Sequence, residues 1–303
     1  MRDVFIQNLI QSIEFNKKII VMTADLGFGL FDHIAKKYPN NFINVGVAEQ
    51  NMINIASGLA LEGYKVYTYS IGNFSFMRNL EQIRVNPAYH SLDLNIISNG
   101  GGFAYGPLGF THHANEDIGI MRAIPNITCL APTFKEDVLS ALYFSINNEK
   151  PKYIRLQKLP TTTKLNKNKE YLDKPILQHE GKETAIITYG NIIDNVFEAI
   201  NNLPLFNQPS VYSINQIDPI VDNNWLKILN KYKNIIIIEE HVENCGFGES
   251  FSSLCFRLNK FPNLKKINIG NKFETIVGSQ KFLCDINNLS VKNITKTIFE
   301  LTK

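Results

Sequence analysis

The sequence predicts an α/β protein of two doubly wound units, each a mostly parallel sheet with helices on both faces. Three observations predict it. Apolar runs of strand length alternate with segments of helical period along both halves of the chain. The alternation lapses once, over residues 161–182, where Lys, Asn, Thr and Pro replace any sustained apolar period, as in a linker. Length and composition allow two cores of ordinary size, with 303 residues, 44% hydrophobic and 19% charged. The expected units are residues 1–160 and 183–303.

Phe5, Ile6, Leu9, Ile10 and Ile13 make a helical stripe, and IIVMTAD (19–25) follows as a buried strand. Residues 30–38 read as a helix stopped by Pro39. The apolar run Phe42, Ile43, Val45, Val47 leads into Glu49 and an amphipathic helix with Met52, Ile55, Ala56, Leu59 and Ala60 on one face. Gly63 is the expected glycine beyond that helix's end. Strand 65–71, a helix over about 75–91 and strand 94–100 come next. A glycine-rich loop then leads to helix 116–124 and strand 126–132. Thr133 with Glu136 three residues on predicts a capping box opening a helix to about 147, and strand 152–158 closes the unit. The second unit reads strand 183–190, helix 191–203, strand 209–215, helix 223–232 and strand 234–241. A glycine-containing turn into a helix, a strand at 265–270 and a last helix ending near Leu301 complete it.

Several function classes are excluded or disfavoured. No run of about 18 apolar residues exists, so no membrane span is expected, and the acidic, helix-period start is unlike a signal peptide. A net charge of +3 without a basic stripe gives no case for nucleic acid. Cys129, Cys245, Cys255 and Cys284 are scattered, with no CxxC pair, as expected for reduced thiols of a cytoplasmic protein. A GxSxG elbow, a P-loop, HExxH and GxGxxG are all lacking.

Polar and aromatic residues instead gather at successive strand ends: Asp25, Glu49, Phe74, Phe76, Arg78, His112, Arg155 and Lys158. In a doubly wound sheet these ends share one edge, the edge where such sheets bind ligands. Each also has a structural reading. A carboxylate in a first helical turn complements the helix dipole, aromatic pairs fill cores, and strand-end cations are often merely solvated.

The segments VGVAEQNM, GNFSFMRNLEQIR, GGFAYGPLGFTHHANEDIGIMRAIPN and EEHVENCGFGES, in this order, resemble the transketolase family. That family includes deoxyxylulose-phosphate synthase and, more distantly, the β subunits of 2-oxo acid dehydrogenases. The resemblance covers essentially the whole chain. It implies a pyrimidine-binding domain over residues 1 to 160 and a transketolase C-terminal-like domain over 183–303. It also implies thiamine diphosphate as cofactor. Glu49 then hydrogen-bonds N1′ of the aminopyrimidine and favours the imino tautomer that serves as the cofactor's own base. By the same resemblance Phe74 or Phe76 stacks on the aminopyrimidine, with Asp25 placed beside the cofactor. His112, or the adjacent His113, contacts substrate oxygens. Arg78 reaches substrate, and Arg155 and Lys158 bind the phosphate of a sugar.

Two departures from the family pattern sharpen the expectation. Where the family reads GxDGxTH this chain reads GPLGFTH, so Leu108 cannot accept a hydrogen bond from a sugar hydroxyl. A less polar or unusual donor or acceptor is expected. The GDG motif and the Asn-containing segment that hold diphosphate through Mg2+ are absent from these residues. The resemblance therefore implies one subunit of a split enzyme. An N-terminal diphosphate-binding subunit would hold Mg2+, in an α2β2 heterotetramer moving a two-carbon ketol unit between sugars or sugar phosphates. Two other readings stand beside it: a β subunit of a 2-oxo acid decarboxylating complex, and a non-catalytic pairing subunit.

Overall fold

The computed structural model describes residues 1–159, 161 and 172–301. Six strands build most of a first sheet: β1 (Ile19–Thr23), β2 (Phe42–Asn44), β3 (Lys65–Ile71), β4 (Leu94–Asn99), β5 (Thr128–Leu130) and β6 (Lys152–Leu156). The second sheet contains β7 (Ile176–His179), β8 (Thr184–Thr188), β9 (Ser210–Ser213), β11 (Asn234–Ile238) and β12 (Asn263–Ile267). Between β9 and β11 the chain makes β10 (Gln216–Asp218), which joins the first sheet. The strand orders are β10-β5-β6-β4-β3-β1-β2 and β12-β11-β8-β9-β7. Every pairing is parallel except the two at edges, β10 on β5 and β7 on β9. The doubly wound reading of both units stands.

β7 and β10 are departures from the sequence reading. β7 lies inside the span read as linker, 161–182, of which residues 162–171 lie outside the described residues. β10 ties the second unit to the first, and one apolar cluster carries side chains of both, from Met22 and Ile53 to Trp225 and Phe247. The two units are therefore one packed body.

Local expectations fare unevenly. The first helix is Arg2–Phe15, and all five residues of its stripe are buried. Gly63 follows helix Glu49–Leu61 with φ of 80°, and its amide bonds to Ala60 O. That helix buries Met52, Ile53, Ala56 and Ser57, so its inner face is turned by one residue and Ile55 is exposed. The helix expected over 75–91 is broken into short 3-10 and α turns ending in a π turn, Arg84–Ala88, around Pro87. The expected capping box of Thr133 and Glu136 does not form: the helix starts after Phe134, whose side chain cannot accept, and only the acidic half of such a box is present. Asp137 accepts from the Phe134 amide at 2.9 Å, while the Thr133 hydroxyl donates to Ile214 O and accepts from the Gly190 amide. Among the described residues no helix is long and apolar enough to cross a membrane, and all four cysteines are free.

Lys152 of β6 is fully buried, with Nζ donating to Asn148 O and lying 3.6 Å from Asp93. Burial pushes its ammonium down to about 8 from an ordinary 10.5, against the pull of Asp93. Between those values the unfolded chain binds the extra proton, so the cost of this site fades as pH rises from 8 to 10.5. Relative to Lys152→Met, the wild-type protein is expected to gain about 1–3 kcal/mol of unfolding free energy across that window. Denaturant titrations of both proteins at several pH values measure it, and parallel pH profiles would refute it.

Candidate functional site

The carboxyl ends of β1, β2, β3 and β4 meet at one edge of the first sheet. Beyond β1, Asp25 adopts φ of 55°, and Asn44 at the end of β2 staples it. Asn44 Oδ1 accepts from the amides of Asp25 and Gly46, at 3.0 and 3.1 Å, and Asn44 Nδ2 donates to the Asp25 carboxylate at 3.3 Å. The turn through Gly46 delivers Glu49 as the first residue of its helix, with only 4% of the side chain exposed. An apolar strand followed at once by a helix start therefore aims a buried carboxylate at the ligand-binding edge.

Arg78 Nη1 donates to Glu49 Oε2 at 3.0 Å. Among the described residues no hydrogen bond reaches Oε1. The Arg78 guanidinium lies over the Phe74 ring, 4.1 Å from its centroid, and Phe74 meets the His112 ring at 5.0 Å. Backbone ties hold these groups together. Gln50 Nε2 donates to Arg78 O at 2.8 Å, and Asn73 Nδ2 donates to Thr111 O at 2.6 Å. Gly72, at φ of 41°, lets the end of β3 press on the turn carrying His112, because a Cβ there would stand 2.9 Å from His112 O. A buried acid, an aromatic face, a guanidinium and an imidazole thus form one continuous chain of contacts. Such a set can orient a flat, protonatable ring and meet anionic or hydroxylated groups beside it.

Other residues of the sequence reading stand elsewhere. Phe76 is wholly buried, edge-on to Tyr153 at 6.0 Å, and has no face left for a ligand. Arg155 is also buried. Its Nη1 donates to Asp117 at 3.2 Å and its Nη2 to Glu240 O at 3.1 Å, so it joins the two units and does not face solvent. Lys158 is exposed, reaches Ala104 O at 3.3 Å and lies over the Tyr105 ring at 4.3 Å. Leu108 is exposed on the turn before His112, near the exposed Phe110 and Val277. Of the adjacent histidines, His112 faces Phe74. His113 is buried edge-on to Phe103, and burial lowers its pKa.

The joint between the units uses residues to which the sequence reading gave no role. Glu239 accepts from the Tyr189 hydroxyl and from the amides of Phe247 and Gly248, capping helix Phe247–Arg257. Glu240 accepts from the Phe103 amide at 2.6 Å and from Gln280, and burial raises its pKa. His241 Nε2 accepts from the Gly119 amide at 3.0 Å, so the ring is neutral and its Nδ1 donates to Val242 O. The available signal was EEH at a strand end: three polar residues that a packed α/β joint must satisfy. Among the described residues no group of three or more His, Cys, Asp or Glu stands placed to hold a metal ion.

Residues 1–162 match the pyrimidine-binding domain of transketolase, and residues 173–266 match the transketolase C-terminal domain. One subunit of the apulose-4-phosphate transketolase of Actinobacillus succinogenes is 24% identical, over 99% of this chain and 98% of its own length. The 1-deoxy-D-xylulose-5-phosphate synthase of Lawsonia intracellularis is 29% identical over 99% of this chain. The match spans only 48% of that protein. Among solved structures, a split gene transketolase described as an inactive beta4 tetramer is similar at TM-score 0.86 and 23% identity. The likeness covers 99% of this chain and 96% of that one.

Proposed function

The chain belongs to the transketolase family, and from that premise we propose that it is the C-terminal subunit of a split, thiamine-diphosphate-dependent transketolase-like enzyme. The observation that carries the reading is the buried Glu49 carboxylate beside the Phe74 face, with Oε1 left for a ligand. Those residues fit an aminopyrimidine: Glu49 holds a proton between itself and the ring nitrogen, and Phe74 supports the ring plane. When bound, the cofactor supplies the nucleophilic carbon that accepts and hands on a two-carbon ketol unit. His112, at the far side of Phe74, donates to or accepts from hydroxyl and carbonyl oxygens of the sugar. Arg78 and Lys158 supply the positive charge for a phosphorylated substrate, and Asp25 lines the cofactor's side of the edge.

Residues 1–303 carry no GDG motif, and under this proposal diphosphate and Mg2+ fall to a partner subunit, in an α2β2 heterotetramer. Support comes from the rim of the site. Val47, two residues before Glu49, and Phe110, two residues before His112, are both exposed, with Phe273 beside Phe110. Exposed apolar side chains beside a polar site suit burial by another chain. A relative of matching length that is named as one subunit of its enzyme points the same way. Its naming for apulose 4-phosphate supports a sugar phosphate as substrate.

Co-expression with a GDG-containing chain is expected to give a stable complex that transfers ketol units between sugar phosphates only when both chains are present. Pyruvate decarboxylation in place of ketol transfer, or no complex at all, would overturn the assignment. Within that complex Leu108→Asp is expected to shift donor preference toward hydroxylated ketose phosphates by about tenfold in kcat/KM. Unchanged preference across a donor panel would remove Leu108 from the specificity determinants.

A further inference from the structure

We propose that Arg78 is a displaceable stand-in for the cofactor's aminopyrimidine, occupying its seat in the free subunit and leaving it when the ring enters. The inference rests on the reading that Glu49 and Phe74 form that seat. A guanidinium is flat, cationic and a hydrogen-bond donor. Here it uses both features of the seat at once, the Phe74 face at 4.1 Å and the Glu49 carboxylate at 3.0 Å. Two flat groups cannot share one aromatic face. The contact of Phe74 with His112 at 5.0 Å further limits where a second ring could stack.

Arg78 is built to leave. Its side chain is 44% exposed, and the bond to Glu49 is its one side-chain hydrogen bond among the described residues. Its backbone stays fixed, because Gln50 Nε2 holds Arg78 O at 2.8 Å. The side chain can therefore swing about an anchored Cα. Glu49 cannot be abandoned in the exchange, since an unpaired buried carboxylate is costly. Departure of Arg78 is favoured only when another donor arrives, so ring entry and guanidinium release are coupled. The released guanidinium then stands at the mouth beside His112, free to take an anionic substrate group. Substrate capture is thereby ordered after cofactor seating, and the free subunit's affinity for the ring is reduced by the fraction of molecules in which Arg78 occupies the seat.

The test uses the full chain and thiamine, which lacks the diphosphate that the partner would hold, with binding followed by ligand-observed NMR. Arg78→Gln is expected to bind thiamine about tenfold more tightly than wild type, the scale of one charge-assisted contact that no longer has to be broken. Arg78→Lys, which keeps the charge but cannot stack flat, falls between them. Millimolar guanidinium, but not equal sodium, weakens thiamine binding to Arg78→Gln and leaves wild type unaffected. Equal or weaker binding by Arg78→Gln, with Glu49→Ala weakening binding, overturns the stand-in role while the seat survives. If neither Glu49→Ala nor Arg78→Gln alters thiamine binding, the seat itself is wrong and the inference falls with it.

Discussion

Glu49→Gln in the assembled enzyme is expected to lower turnover at least about 100-fold, the usual scale for removing an acid–base contributor. The amide keeps the shape of the carboxyl group and its place at the start of helix Glu49–Leu61. It gives up the ability to share a proton with a ring nitrogen through Oε1. The loss should be confined to chemistry. The variant removes the buried charge of the pair, and the Arg78 guanidinium left behind is half exposed and can be solvated. A lost charge in a first helical turn costs only about 0.3–1 kcal/mol. Turnover at saturating thiamine diphosphate and the thermal midpoint, measured on one preparation, separate the two effects. Near-wild-type turnover would remove Glu49 from the chemistry, and a collapse of the midpoint would make it a structural residue.

The largest stability effect is expected at the joint between the units. Asp117 is fully buried and accepts from the Tyr153 hydroxyl at 2.8 Å and from Arg155 at 3.2 Å. Asp117→Ala would leave the Arg155 guanidinium buried without its hydrogen-bonded carboxylate, with Glu240 O and the face of Tyr189 as its remaining contacts. Such an orphaned charge costs about 3–5 kcal/mol, or about 10 °C in thermal midpoint for a chain of this size. Replacing both partners, with Asp117→Leu and Arg155→Met, should recover part of the loss, because the guanidinium and its carboxylate leave together while the buried Glu240 loses the Arg155 charge beside it. The converse experiment decides between two roles for the arginine. A large drop in midpoint with Arg155→Ala fits the joint. An unchanged midpoint with a raised KM for sugar phosphates would make Arg155 a phosphate ligand after all.

Arg155 also marks where sequence reasoning stops. Nearly every strand was legible, because parallel strands buried on both faces are continuous apolar runs, as in IIVMT and NIIII. Glu49 was legible because a strand running straight into an amphipathic helix fixes where the first helical residue points. Arg155 sits at an equally suggestive strand end, but that end is covered by Glu240 and Tyr189 of the second unit. Nothing local reports how the units dock. Phe74 and Phe76 differ for a similar reason: Phe74 lies in one 3-10 turn and Phe76 just beyond it, and they meet different partners, His112 and Arg78 for one and Tyr153 for the other. β10 was hidden because three residues, Gln216–Asp218, carry too little period to read and pair with a strand far earlier in the chain, Thr128–Leu130.

That edge strand has a consequence for how the protein is made. As the chain leaves the ribosome, the first sheet can assemble up to β6 while β5 still presents an unpaired edge. The edge is closed only when residues 216–218 emerge and double back. Until then the nascent chain carries an open template for pairing with its neighbours, at a stage when Arg155 still awaits the backbone of Glu240. A gene fragment ending near residue 160 is thus expected to yield inclusion bodies and not a soluble half, however complete its own six strands.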